Sequence, residues 1–323
     1  MLNPGWSHLD SPFHAGEIAT QERVGVRAKM EAQGRRVIRD YFTEQHQQFY
    51  TQLPFLIAET VDVNGHPWAS ILVGEPGFLS TPNERTLQID SKPLFGAPLT
   101  NTLAEGINIG LLGIELPTRR RNRMNGTITA IASHGFTVRV GQSFGNCPQY
   151  IQVRSVVLTK SHHSLQIVRE IATLAEAERA MIAAADTFFI ATAFYGNTSD
   201  LVRGVDVSHR GGKPGFVRID PDGTLNIPDF AGNLHFNTIG NLLLEPHAGL
   251  LFLDFNRGDL IYLTGIAEVI WDSNEIQAFA GAERLIRFQM TQGYRVESSL
   301  PLQWSAPDYS PFLDRTGAWT ETA

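Results

Sequence analysis

The chain has 323 residues, 42% hydrophobic and 18% charged, a globular composition long enough for two domains. Its one cysteine, Cys147, excludes an intramolecular disulfide framework and a cysteine-rich zinc site, and a formal net charge of −7 argues against a nucleic-acid partner. The first residues lack the basic and apolar stretches of a secretion signal, and apolar runs such as 107–116 are too short to span a bilayer. The expectation is a cytoplasmic protein with no membrane association.

In chain order, 20–50 has helical character. Residues 57–63 and 68–73, β-rich and separated by Asn64-Gly65, carry the signature of a hairpin whose turn tolerates positive φ. Short strands follow at 86–90, 107–115, 126–132 and 136–140. A helix is expected over 174–185, where Ala and Glu surround an apolar face. Strands then return at 188–194, 201–207, 215–219, 224–227, 249–254 and 260–270, with a weaker helix at 274–282. The alternation over 283–296 reads as a late strand, and the Pro-rich tail after 300 as an extended arm. Many short strands with few helices indicate a mainly β fold with peripheral helices, its sheets closed into barrels that leave no exposed edge.

The chain also repeats itself. Phe55-Leu56-Ile57-Ala58 returns as Phe188-Phe189-Ile190-Ala191, Gly77-Phe78-Leu79 as Gly215-Phe216-Val217, and Asn101-Thr102-Leu103 as Asn237-Thr238-Ile239. Gly110-Leu111-Leu112 matches Gly249-Leu250-Leu251, and Asn125-Gly126-Thr127-Ile128 matches Thr264-Gly265-Ile266-Ala267, with offsets between 133 and 139. Two tandem copies of one barrel are expected. Residues 1–50 form an arm and helix, 51–160 the first and degenerate barrel, 161–185 a linker helix, and 186–323 the second barrel with its C-terminal arm.

The copies differ most over 202–216, where the second carries Ser208, His209, Arg210, Gly211, Gly212 and Lys213. A hydroxyl, two cations and adjacent glycines after a strand suit a phosphate, which needs donors, positive charge and close backbone approach. A glycine-rich hairpin tip with solvated cations accounts for the same residues. A second polar cluster contains Asp229, Asn233, His235, Asn237, Thr238 and Asn241. It reads either as a capped loop or, beside the first cluster, as the rest of a site for a phosphorylated ligand.

These residues resemble the flavin-binding split-barrel family typified by pyridoxamine 5′-phosphate oxidase. The resemblance runs through Arg203-Gly-Val205-Asp-Val207-Ser208, Gly215-Phe216-Val217, Leu225-Asn226-Ile227-Pro228-Asp229, Asn237-Thr238, Glu245-Pro246 and Thr264-Gly265-Ile266-Ala267-Glu268-Val269. It implies two tandem FMN-binding split β-barrels, forming a pseudo-dimer within one chain or a homodimer, with FMN as cofactor. Arg203 falls where the family has its phosphate-binding Arg, and Ser208 replaces a Lys. Ile227, Pro228 and Asp229 align with the flavin-edge segment, Asn237-Thr238 with a phosphate-binding Arg-Lys pair, and Leu260 replaces a Gln near the flavin. Phosphate ligands are thus expected at Arg203, Ser208, Arg210 and Lys213, with His209, Gly211, Thr238, Asn237 and Asn241 in support. Ile227–Asp229 would flank the ring or ribityl chain through backbone groups. No counterpart of the oxidase's Arg-x-His-Asp-Arg substrate motif follows Asp272. The resemblance therefore implies an FMN-dependent oxidoreductase, with a small-molecule substrate and an external electron donor or acceptor, that does not oxidise pyridoxamine 5′-phosphate. A non-catalytic flavin or haem carrier and a deazaflavin-dependent reductase are the alternatives.

Other residues weigh less. Cys147 is reactive if Pro148 opens a helix above it, and otherwise packs in a junction. Arg119-Arg120-Arg121 with Arg123 reads first as a solvated hairpin tip and second as an anion-binding edge. His8, His14 and Glu17 lack metal-ligand spacing, so no metal is expected. His209 and His235 are the histidines expected to touch ligand. No nucleophile elbow or Gly-x-Gly-x-x-Gly opening a βαβ unit occurs, and no general acid or base is nominated.

Overall fold

A computed structural model of the chain describes residues 5–159, 166–195 and 204–320. Three short helices open it: α1 (Ala15–Arg23), α2 (Arg27–Val37) and α3 (Glu44–Thr51). The helical character of 20–50 is thus broken, once by Gly25 at φ 72° and once by the extended residue Ile38. Strands β1 (Phe55–Val61), β2 (Pro67–Val73), β3 (Leu79–Asn83) and β4 (Thr86–Ile89) precede the four-residue helix α4 (Leu99–Thr102). After it come β5 (Asn108–Glu115), β6 (Arg120–Ala132) and β7 (Gly135–Asn146). Then follow β8 (Val156–Leu158), β9 (Ile167–Ile171), α5 (Glu176–Ala184), β10 (Thr187–Phe194), β11 (Gly204–Gly211), β12 (Arg218–Ile219) and β13 (Leu225–Phe230). The last elements are α6 (Asn237–Leu244), β14 (His247–Leu253), β15 (Leu260–Ile270), α7 (Asn274–Gln277), β16 (Ala282–Glu297) and β17 (Leu302–Trp304).

The fold is mainly β with peripheral helices. One antiparallel sheet has the order β2-β1-β5-β6-β7-β4-β3, and another the order β11-β10-β14-β15-β16-β13-β12, with β9 added to β16 and β8 paired to β17. The two orders correspond strand for strand. Both sheets carry a bulge at the matching place, between Asn125 and Gly126 in β6 and between Thr264 and Gly265 in β15.

Each sheet covers its own core: Leu56, Ala58, Leu111 and Val138 in the first, Phe188, Ile190, Leu250 and Ile286 in the second. A further core joins the opposite faces, bringing Phe55, Ile57 and Leu112 against Phe189, Ala191, Val207 and Leu251. Side chains alternate along a strand, so this division fixes which positions of the two sheets face the same way. Phe55 and Ile57 face the shared core whereas Phe188 and Ile190 face away from it. The first motif is therefore matched one residue out: Leu56 corresponds to Phe188 and Ile57 to Phe189. The two sheets approach closely at equivalent glycines. A Cβ on Gly110 would lie 2.6 Å from the Val205 carbonyl oxygen, and one on Gly249 2.3 Å from that of Pro67.

Candidate functional site

The junction between the sheets carries a polar cleft. Strand β6 sends Arg121 and Arg123 into it, because residues two apart share a face; β11 supplies Ser208, His209 and Arg210, and the first turn of α6 supplies Asn237 and Thr238. Asp229 on β13 and Arg284 on β16 close one side. This chamber has a volume of about 90 Å³ and adjoins a second of about 50 Å³, lined by Tyr150, Gly211, Pro228 and Phe230 and sharing Arg121, His209, Arg210 and Asp229.

Buried Arg123 organises the chamber. Its Nη1 donates to Asn237 Oδ1 at 2.6 Å and lies 2.7 Å from Asp206 Oδ1, while Nη2 donates to Ser208 Oγ at 2.5 Å. Ser208 Oγ also accepts from Thr238 Oγ1 at 3.0 Å. Arg121 donates through Nε to the Cys147 carbonyl at 2.7 Å and through Nη1 to His209 Nδ1 at 3.3 Å, which leaves the His209 proton on Nε2. Asp229 bridges two cations, with Arg284 Nε at 2.6 Å and Arg210 Nη2 at 3.3 Å.

Four guanidinium groups therefore face two carboxylates, Asp206 and Asp229, and Arg284 is also paired outside the chamber with the Glu283 carboxylate. Burial pushes the His209 imidazole well below its ordinary value, and the neighbouring Arg121 and Arg210 push it further, so it is neutral. Burial also lowers Arg121, to about 9, with Arg123 adding to the shift; it remains a cation at neutral pH. A net positive charge remains, which suits an anion such as a phosphate. The first turn of α6 faces the same space, and its N-cap, Phe236, offers no side-chain acceptor to its N–H groups.

Of the residues expected from sequence, Ser208, His209, Arg210, Asp229, Asn237 and Thr238 line the main chamber, and Gly211 and Pro228 the second. Four others do not line either chamber. Lys213 is exposed on a separate depression with Pro214 and Tyr309, because the chain turns away after β11. Ile227 points into the second sheet's core, on the face opposite Pro228. Asn241 is buried one helical turn beyond Asn237, where Nδ2 donates to the Thr192 carbonyl at 3.1 Å. His235 is enclosed between Phe13 and Phe144, with ring centroids at 5.5 and 5.4 Å. Arg203 lies outside the described residues. Gly211 serves packing, since a Cβ there would lie 1.9 Å from the Tyr150 carbonyl oxygen.

The solvated-tip reading of the arginine run fails for Arg121 and Arg123. Only Arg119, at φ 56°, and Arg120 belong to the turn and its exposed flank. Pro148 opens no helix, which removes the reason for a reactive Cys147 thiol. Arg121 and Arg123 instead suit the second reading of the run, an anion-binding edge, whereas Asp206 and Arg284 carry no signal in the sequence that singles them out. The i, i+2 spacing of the two β6 arginines was the available signal, but their destination depends on packing between sheets.

No family model matches the chain, and no curated relative does. Solved structures give only partial likenesses. HupZ from Group A Streptococcus is 11% identical with a TM-score of 0.29, covering 38% of this chain and 98% of its own. A provisional pyridoxamine 5′-phosphate oxidase from Lactobacillus delbrueckii is 15% identical with a TM-score of 0.26, covering 32% of this chain and 94% of its own. A conserved hypothetical protein from Mycobacterium tuberculosis is 15% identical with a TM-score of 0.28, covering 39% and 87%. At these values the likenesses carry no functional argument, and the reading of the cleft rests on its own residues.

The donor set fits a phosphate ester. His209 Nε2, Arg123 Nε and Arg210 Nε are buried with no partner among the described residues, and hydroxyl, amide and guanidinium groups converge around them. Ligand sites for whole cofactors commonly reach about 300–1,000 Å³. Chambers of about 90 and 50 Å³ therefore match the phosphate end of such a molecule, and a ring system must extend beyond them.

Proposed function

We propose that the inter-sheet cleft binds the phosphate of FMN and that the protein is an FMN-dependent oxidoreductase acting on a small molecule. The observation that carries this reading is the meeting of Arg121 and Arg123 from one sheet with Ser208, Arg210, Asn237 and Thr238 from the other. When bound, FMN supplies hydride or electron transfer. In this reading Arg121 and Arg123 neutralise the phosphate, Ser208, held by Thr238, donates its hydroxyl hydrogen bond, and the first turn of α6 presents backbone N–H groups. The common strand order supports a duplicated origin for the two sheets, in which one of two equivalent inter-sheet clefts kept its cations. Arg121 and Arg123 on β6 correspond to Leu260 and Tyr262 on β15, which are buried in the shared core.

The test is an absorbance spectrum of the purified chain, followed by chromatography of any ligand released on denaturation and by titration of the ligand-free protein with FMN. Flavin bands with FMN released, or saturable FMN binding, are expected. A haem or deazaflavin spectrum, or failure to bind added FMN, overturns the assignment. Bleaching of bound FMN by a reduced nicotinamide and reoxidation by an acceptor then test redox competence.

A further inference from the structure

Helix α1 reaches the cleft from outside both sheets. It crosses α6 at backbone contact, where a Cβ on Gly16 would lie 2.0 Å from the Gly240 carbonyl oxygen and one on Gly240 2.5 Å from the Glu17 nitrogen. This crossing sets the buried Glu17 carboxyl against the N-terminal turn of α6. Asn237 Nδ2 donates to Glu17 Oε1, and the His14 backbone N–H donates to Glu17 Oε2 at 2.9 Å. The other end of the Asn237 amide accepts from Arg123, so Glu17, Asn237 and Arg123 form one chain of hydrogen bonds.

We propose that Glu17 is the positioning residue of the anion cleft: seated in the crossing of α1 on α6, its carboxyl takes the Asn237 amide N–H and so holds the Asn237 carbonyl toward Arg123, and negative charge on that carboxyl weakens anion binding. This inference rests on the cleft being the phosphate site. It absorbs the His14–Glu17 segment, which neither a metal nor the flavin motif explains.

The groups facing Glu17 come from several elements. His14 is the N-cap of α1, with Nε2 3.6 Å from Glu17 Oε2, and burial lowers this imidazole to about 4, so it is neutral. Asn237 lies on α6, Asp206 on β11 and Arg123 on β6. Glu59 on β1 interacts with Asp206 and Arg123, and burial raises its carboxyl well above the ordinary range. Burial is likewise the largest influence on Glu17 and pushes it up to about 8; Asp206 adds to the rise, and the His14 N–H, Asn237 and Arg123 oppose it. Above that value a new carboxylate competes with the ligand for the cation. By reciprocity, anion binding favours the protonated acid and draws a proton from solvent.

The full-length chain is titrated with FMN from about pH 6.5 to about 9.5, above the second phosphate ionisation near ~6. Calorimetry in buffers of different ionisation enthalpy measures proton uptake. The wild-type affinity is expected to fall about tenfold between pH 7 and 9, with net proton uptake near pH 8. Glu17→Gln, which keeps the shape but cannot ionise, is expected to bind FMN with an affinity that stays flat through this range. A pH-independent wild type, or a Glu17→Gln variant with the wild-type slope, overturns the inference while leaving the phosphate site standing. Absence of FMN binding at every pH overturns both. If the variant fails to fold, wild-type proton uptake near pH 8 decides alone.

Discussion

The cleft's arginines differ in what holds them, and the difference predicts distinct phenotypes. Arg123 is paired with buried Asp206, so removing it strands a carboxylate and costs about 3–5 kcal/mol of stability. Arg121 has no carboxylate partner in the described contacts and lies among like charges, Arg123 and Arg210. Arg121→Met should therefore lower FMN affinity about tenfold or more, through loss of a charge-assisted contact worth about 1.5–3 kcal/mol, and leave the melting temperature unchanged or higher. Titration beside a melting curve checks this, and a normal affinity would place Arg121 outside the site. Lys213→Ala, on the separate depression, should leave FMN affinity within about twofold of wild type. A large loss there would mean that the phosphate sits elsewhere.

At the scale of elements, the crossing of α1 on α6 is the contact that completes the cleft from the N-terminal segment. Two glycines permit it, and neither needs positive φ; what each provides is the absence of a Cβ. Gly16→Ala should push α1 outward, because its methyl would meet the Gly240 carbonyl oxygen at 2.0 Å, backbone that cannot swing aside as a side chain does. The expected cost is about 1–3 kcal/mol, with FMN affinity falling in parallel as Glu17 leaves Asn237. Gly25→Ala, in a turn with open space around it and a φ of 72°, should cost about 1 kcal/mol and leave binding intact. Equal effects of the two variants on binding would detach α1 from the site.

For the whole molecule, buried ionisable groups set a pH optimum of stability. Burial lowers His14, His46 and His235 to about 4 and His209 well below its ordinary value of 6.5. Between those limits the unfolded chain binds protons that the folded chain does not, so stability falls as pH drops below about 6.5. Glu17, raised from 4.5 to about 8, Glu59, raised well above 4.5, and Asp206, raised by burial, act with opposite sign. The folded state keeps protons that the unfolded chain has lost, so their contribution declines as pH rises through 8. Four histidines outweigh three carboxyls below about 6.5, and above it the histidines no longer add stability while the raised carboxyls go on losing it. Urea midpoints should therefore peak near pH 6.5, and a continuous rise from about pH 5 to 8 would contradict the buried neutral carboxyls.

The sequence by itself determined the local structure and the strand succession. The Asn64-Gly65 hairpin, helix α5 and the long strand β16 were legible because hydrophobic period and turn chemistry are local properties. The two sheets share one strand order, and the first pair of motifs matched in sequence sits one residue out of step between them. Two adjacent phenylalanines, Phe188 and Phe189, looked alike until opposite cores separated them. Ser208, Arg210, Asn237 and Thr238 were legible as polar groups clustered on an otherwise apolar chain. What joined them to Arg121 and Arg123, with Ser208 85 and Asn237 114 residues from Arg123 along the chain, was the packing of one sheet on the other. Glu17 is farther still, 220 residues from Asn237. No periodicity encodes such a meeting. It follows from burial of the shared apolar core, which leaves its polar margin as the place where three separate segments share one set of charges.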